Sequence, residues 1–355
     1  MSDKNKARRS RVEISFDGTD ITESMQRYFK SLTYTDKQED EADDLQIELQ
    51  DEPAIWLTDW LNQAVDAAAG RGMAIQAVVV RQNWNSDGKD DLLDTGTFEL
   101  DSVNLSGPPS NVTIKGTSLP FSTQGRQTKK TKAWEAYNLS GIVAEMAGAN
   151  GMTAMYLSTS DPFYDRVEQY DTSDIDFLVQ LCHDAGASLK ATNKMLVVFD
   201  QADYESKDAV RTVARGDGSY TKWKLSTSTA DTQYMSCRVS YNDPTTGKKI
   251  EGVAYCEDYD SSKKGNQQLE ITQKVASIGE AKELAAKNLR LHNKFERVVQ
   301  FTFPGDPALL AGLTVELKNW GGWDGKYIIT VARHTVNASG GYTTTITARR
   351  VLEGY

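Results

Sequence analysis

The chain has 355 residues, a formal net charge of -10 and 39% hydrophobic residues, enough apolar material for about two to four folded domains. Because nucleic-acid binding needs clustered Lys and Arg to neutralise phosphates, this acidic balance argues against a general nucleic-acid-binding surface. The three cysteines form an odd, sparse set, which argues against a disulfide framework and favours synthesis in a reducing compartment.

The N-terminal segment predicts an arm rather than an export signal. Residues 1–10 are basic, and the strand-like run VEISF follows them in place of the apolar core of a signal peptide. No apolar run approaches the ~20 residues that a membrane helix needs. We therefore expect synthesis in the cytoplasm and no membrane association.

Residues 11–121 predict a first β-barrel or curled sheet with one inserted helix. Apolar and polar residues alternate with period two, which is typical of half-buried strands, in the segments 12–16, 29–34, 45–49, 74–82, 96–104 and 111–118. Residues 83–94 read as a hairpin loop between two of these strands. Residues 54–69 have helical spacing, with Pro53 before them and Gly70 after them.

A dense acidic segment, residues 35–44, interrupts this pattern. We favour a solvated loop, because carboxylates are not buried without partners. The alternative is an element that faces a channel or a partner ring. The candidate partner-binding residues on this alternative are Glu39, Asp40, Glu41 and Asp43.

Residues 122–221 predict a small α+β middle domain that begins with a basic, flexible connection at 122–132. A first helix carries its apolar face on Leu139, Ile142, Val143 and Met146. The run Thr172-Ser173-Asp174 is a helix cap for residues 175–185, and Gly186 ends that helix. The segments 187–191 and 195–200 then form a hairpin, and residues 201–218 are a polar linker.

Residues 222–355 predict a second barrel with one inserted helix, so the architecture of residues 11–121 is repeated. The helix covers 277–295, where Ser277 and Glu280 have capping-box spacing. Strands are predicted at 235–241, 250–256 and 298–303. An antiparallel meander over 313–317, 327–331 and 342–348 closes the chain, because its connections are too short for a crossover helix.

No catalytic, metal or cofactor motif stands out. The three histidines are scattered, and the adjacent Cys182 and His183 point to different faces of a helix. The carboxylate pairs Asp174/Asp176 and Glu41/Asp43 have simpler explanations as a helix cap and a loop. We therefore expect no enzyme and no cofactor.

One aromatic group is a candidate contact site. Trp320, Trp323 and Tyr327 cluster near a turn, where a sugar-binding platform is conceivable. We favour the core or a subunit interface, because aromatic side chains anchor buried contacts.

Three patterns resemble one known family. They are S-L-x-Y-x-D with A-D-D-L-x-I-x-L-x-D from Ser31 to Asp51, R-x-E-Q-Y-x-x-S-D-x-D-F-L-x-x-L-C-x-x-A-G-A from Arg166 to Ala187, and the closing meander. Together they are similar to the baseplate hub proteins of contractile phage tails, the late control protein D family, whose fold is shared by the N-terminal part of VgrG spikes. The resemblance covers about residues 11–355.

The resemblance implies two tube-like β-barrels around a small α+β domain, and a homotrimer in which six similar barrels surround a channel. The implied partners are a hexameric tail tube protein, a separate trimeric spike protein, and baseplate wedge or LysM-type hub-associated proteins. Assembly into a virion tail baseplate or a tailocin particle is expected, without specific nucleic-acid binding; whether DNA or cargo passes through the channel stays open. The alternatives are a peptidoglycan-degrading tail enzyme and a carbohydrate-binding β protein.

Overall fold

The computed structural model describes residues 7–51, 72–119, 128–227, 233–242, 247–257, 259–263, 265–338 and 341–352. The predicted helix at 54–69 lies outside the described residues, as does most of the connection at 122–132. Among the described helices, none combines the length and the apolar character needed to cross a membrane.

The fold is mainly β, as predicted. The strands are β1 Arg9–Phe16, β2 Thr19–Asp20, β3 Phe29–Lys37, β4 Asp44–Gln50, β5 Ala74–Gln82, β6 Asp90–Ser106, β7 Asn111–Thr117, β8 Lys130–Asn138, β9 Thr153–Tyr156, β10 Phe163–Thr172, β11 Ser188–Thr192, β12 Met195–Phe199, β13 Arg211–Ala214, β14 Lys222–Thr227, β15 Ser236–Asn242, β16 Lys249–Tyr255, β17 Gln268–Thr272, β18 Arg297–Pro304, β19 Thr314–Lys318, β20 Gly325–Asn337 and β21 Gly341–Arg350. The described helices are α1 Thr22–Gln26, α2 Leu139–Ala149, α3 Asp174–Asp184, α4 Gln201–Ser206 and α5 Ile278–Asn293, with a short 3₁₀ helix at Gly321–Trp323.

Two parts of the chain, the first half (β1 to β7) and the second half (β13 to β21), share one strand order and flank a middle region (β8 to β12). The first half is ordered β3-β4-β7-β6-β5-β1 and the second β14-β18-β21-β20-β19-β13. Each fourth strand has a register shift at the same place, between Leu100 and Ser102 in β6 and between Ile329 and Val331 in β20. The halves differ at one end, because β1 runs antiparallel to β5 whereas β13 runs parallel to β19.

One strand pair joins the two halves into a single 13-stranded sheet. The C-terminal part of β20 pairs antiparallel with β3, from Val331 opposite Lys37 to Asn337 opposite Ser31. Alternate residues on both strands are buried. The hydrophobic core of the first half therefore includes two residues of the second half, Val336 and Tyr342. A strand edge that would otherwise attract foreign strands is thereby covered within the chain.

The middle region follows the predicted pattern closely. The Ser173 hydroxyl accepts a hydrogen bond from the Asp176 N–H at the start of α3. Gly186 ends the helix with φ +71°, in the left-handed region that favours glycine. Strands β11 and β12 form the predicted hairpin, while β8 and β10 form a separate two-stranded sheet. Leu178 and Leu181 are buried in the core of this region, whereas Ile175 is only half-buried.

Two predictions, one for the second half and one for the linker before it, were wrong. The predicted strands at 235–241 and 250–256 form, but as β15 and β16 they build a separate sheet with β17. Helix α5 packs on that sheet, and Ala281 comes so close to Gly252 that a Cβ there would meet backbone atoms. The polar linker at 201–218 instead contains α4 and β13, since Val213 is fully buried beside β19.

Candidate functional site

The acidic segment at residues 35–44 is a bridge between the large sheet and the middle region. Strand β3 continues to Lys37 and β4 begins at Asp44, so the connection is shorter than predicted. The solvated-loop interpretation is wrong for three carboxylates, because Asp36 is 4% exposed, Asp43 1% exposed and the Glu39 side chain 9% exposed. The Glu41 side chain, in contrast, is 69% exposed.

Glu39 is buried because several donors converge on its carboxylate. The Lys294 ammonium lies 2.8 Å from one oxygen, and the Ser188 hydroxyl donates to the other at 2.6 Å. The Gln201 amide also donates to this carboxylate. Burial by itself raises the pKa of Glu39, but the Lys294 charge and these hydrogen bonds outweigh it, so the pKa lies below its usual value.

Asp43 and Asp36 share one lysine. The Lys190 ammonium lies 2.5 Å from Asp36 and 3.8 Å from Asp43, and the Lys37 N–H donates to Asp43 at 2.9 Å. Burial, with a smaller contribution from the Asp36 charge, raises the pKa of Asp43 to about 6, although Lys190 opposes the shift. The second oxygen of Asp36 accepts the Ala311 N–H at 2.8 Å, which ties the middle region to both halves of the sheet.

The two remaining candidate carboxylates lie nearer the surface. Asp40 accepts a hydrogen bond from, or pairs with, His183 Nε2 at 2.9 Å, and the hydrogen bond raises the pKa of His183. Glu41 pairs with Lys37 at 2.6 Å on an exposed side. Among the four candidate carboxylates, Asp40 and Glu41 are therefore the two with enough exposed surface to contact a partner.

The interactions of Glu39 continue into a second buried cluster. Gln201 Oε1 accepts from the Arg349 guanidinium at 2.6 Å, and Arg349 also pairs with Glu205 at 2.6 Å. Arg290 of α5 pairs with the other Glu205 oxygen. Arg349 is fully buried, so these contacts fasten α4, α5 and β21 to one another. The sequence analysis did not predict this cluster. The available signal was an arginine within an element whose other residues alternate between apolar and polar, such as Arg349 in β21.

The aromatic group belongs chiefly to the core of the second half. Tyr327 is fully buried and Trp320 is 7% exposed, so within one chain these two rings fit the core alternative of the prediction. The Trp320 indole N–H donates to the Val213 carbonyl of β13 at 3.0 Å, and its ring lies 5.3 Å from that of Trp223 on β14. Trp320 thus connects two strands at opposite ends of the second half's strand order. Trp323 is only half-buried and keeps surface for a partner.

The carboxylates that could imitate a catalytic pair have structural partners. Asp174 is buried and bonds to Lys130 at 2.7 Å and to Asn150 at 3.0 Å. Asp176 accepts the Ser173 hydroxyl at the helix cap. Within the described ranges, no group of three or more His, Cys, Asp or Glu side chains could hold a metal ion.

The family is decided by the middle and second regions together. Residues 120–340, more than half of the chain, match the family of phage tail baseplate hub (GPD) proteins. The chain belongs to this baseplate hub family. The resemblance predicted from the sequence is therefore confirmed.

Relatives agree with the family assignment. A probable baseplate hub protein of Escherichia phage 186 is 24% identical over 242 residues, which cover 66% of this chain and 58% of that relative. A tail protein from Neisseria meningitidis MC58 has the same fold, with a TM-score of 0.68 and 12% identity over 96% of this chain and 97% of that one. The E. coli c3393 protein, described as a type VI secretion component with structural similarity to T4 tail proteins gp27 and gp5, aligns with a TM-score of 0.55 and 11% identity over 96% of this chain and 78% of that one.

Proposed function

We propose that this hub-family chain is the structural hub of a contractile tail baseplate: a homotrimer that joins the hexameric tail tube to a trimeric spike. Each chain supplies a first barrel (11–121), an α+β domain (122–221) and a second barrel (222–355), with residues 1–10 as an arm. Three chains then present six similar β units to the six-fold tube. Membership of the baseplate hub family carries the proposal.

The repeated strand order supports the six-fold arrangement. Two units with one topology are already joined edge to edge through β3 and β20, so the same join made between chains gives a ring. Such a ring covers the sheet edges at which the units meet, which would otherwise favour aggregation.

The uncovered face of the sheet suits a channel wall. Neighbouring hydroxyls line it, with Thr33 and Thr335 oxygens 3.5 Å apart and Thr302 and Thr345 oxygens 3.1 Å apart. The same face carries Asp44, Asp101, Lys115 and Arg333 among the threonines, so its charges are of mixed sign. A wall without a cluster of cations binds a passing polyanion weakly, which fits passage of DNA or cargo without specific binding.

The remaining partners are a separate spike protein and baseplate wedge or LysM-type proteins on the rim. Asp40, Glu41 and Trp323 are the candidate contact residues, since they keep exposed surface. The chain acts as a scaffold rather than an enzyme, is made in the host cytoplasm and is assembled into a virion tail or tailocin.

Size-exclusion chromatography with light scattering tests the trimer, and electron microscopy of particles labelled on this chain tests its place. We expect a mass of three chains and label at the junction between tube and spike. A monomer that cleaves peptidoglycan, or label elsewhere on the particle, would refute the proposal.

A further inference from the structure

We infer that β14 of one copy pairs antiparallel with the C-terminal part of β6 in the next copy, and so repeats between chains the β3–β20 pair seen within the chain. The inference rests on the proposed trimer.

The repeated strand order provides the correspondence. Strand β6 holds the same place in the first half as β20 in the second, and their register shifts align Ser102 with Val331. On this alignment Leu105 corresponds to His334. Strand β14 likewise corresponds to β3, and the pairings through β18 and β4 align Leu225 with Tyr34.

Both strands have an edge available. Strand β6 pairs with β5 only over Asp90–Glu99, so residues 103–106 pair with β7 on one side and with no described strand on the other. In β20 the corresponding edge is the one that β3 occupies. Strand β14 pairs with β18 and with no other strand in the part of the chain that the structure describes.

The register follows from the pair within the chain. His334 lies opposite Tyr34 and Arg333 opposite Thr35, so Leu105 is expected opposite Leu225 and Asn104 opposite Ser226. Leu105 and Leu225 are each half-buried in the single chain, and a leucine pair on the core face would finish their burial. The face with Asn104 and Ser226 is polar, like the face that it would continue.

The lysines of β14 are compatible with this partner. Lys222 and Lys224 would face the C-terminal end of β6 and the residues after it, where Ser106 is the residue opposite Lys224. No like charge stands directly opposite them, which would disfavour the pair. Trp223, half-exposed beside Trp320 in the single chain, would lie next to the new strand and lose exposed surface.

Disulfide cross-linking tests the register. Asn104→Cys with Ser226→Cys, in a Cys256→Ser background that removes the one native thiol with exposed surface, should form covalent dimers and trimers on a non-reducing gel. Thr35→Cys with Arg333→Cys is the matched pair within one chain and should form a disulfide without a gain in mass. Asn104→Cys with Thr227→Cys should not link, because neighbouring strand residues point to opposite faces.

The mass measured by light scattering distinguishes a failure of the proposed strand pair from a failure of the proposed trimer. A trimer without the Asn104–Ser226 cross-link, or with equal linking at Thr227, would overturn the strand pair and leave the trimer intact. A monomer would overturn both. As a second variant, Leu105→Asp should convert the trimer to monomer, whereas Leu92→Asp, on the exposed N-terminal part of β6, should leave it a trimer; trimers from both would also overturn the inference.

Discussion

Replacing Glu39 by Gln should destabilise the chain far more than the same change at Glu41. Glu39→Gln leaves the Lys294 ammonium, whose side chain is 7% exposed, without its counter-charge. Breaking a buried ion pair by neutralising one partner costs about 3–5 kcal/mol, because the other charge stays buried. The Glu41–Lys37 pair is exposed, and such pairs contribute about 0–1 kcal/mol.

The measurement is urea unfolding followed by tryptophan fluorescence, at a protein concentration where both variants have the same mass by light scattering. At neutral pH we expect a large fall in the free energy of unfolding for Glu39→Gln and a change below about 1 kcal/mol for Glu41→Gln. The pKa of Glu39 is lowered in the folded chain, so its contribution is present above its usual value near 4.5 and is lost as pH falls below it. The two variants should therefore converge in acid. Equal midpoints at neutral pH would refute the buried pair.

Three further changes test other parts of the fold. Leu178→Ala in the core of the middle region should cost about 2–5 kcal/mol in urea unfolding, and a loss below about 0.5 kcal/mol would place that side chain at the surface. Gly252→Ala should cost about 1–3 kcal/mol by overpacking, since its Cβ would lie 2.4 Å from the Lys282 backbone nitrogen; an unchanged midpoint would contradict this close approach. Asp43→Asn should gain stability relative to the native chain as pH rises from 3.8 to about 6, and the gain should level off above that, because the raised pKa of Asp43 means that its ionised form is the disfavoured one; a flat difference across this window would oppose the burial argument.

The local sequence pattern predicted the helices and strands, but it did not predict which distant strands or side chains pair with one another. The alternation at 29–34 and 327–331 identified two strands, but nothing local indicates that β3 and β20 pair with each other. The cap at Ser173 and the turn before Met195 were predictable because their signals lie within a few residues. Period-two alternation reports only which face is buried, and it is the same for every partner strand.

The prediction of a solvated loop for the acidic segment was wrong for a related reason. Unpaired carboxylates do avoid the interior, as the prediction assumed. The composition of one segment, however, does not show whether cations from distant parts of the chain pair with its carboxylates. Glu39 meets Lys294 from the end of α5, and Asp36 meets Lys190 from the middle region. Each partner looks like an ordinary surface lysine in its own segment. A dense acidic run is therefore weak evidence for a loop where the fold brings three regions together.

Trp320 and Trp323 provide the sharpest separation between core and contact surface. Trp320→Ala removes a nearly buried ring and its hydrogen bond to the Val213 carbonyl, so we expect a loss of about 3–5 kcal/mol from the second half. Trp323→Ala removes a half-exposed ring and should cost less than half as much. If Trp323 contacts a partner, its variant should fold normally yet fail in tail assembly, measured as particles per cell by electron microscopy. A Trp320 variant that unfolds like the native chain would show that the ring does not hold β13 and β14 together.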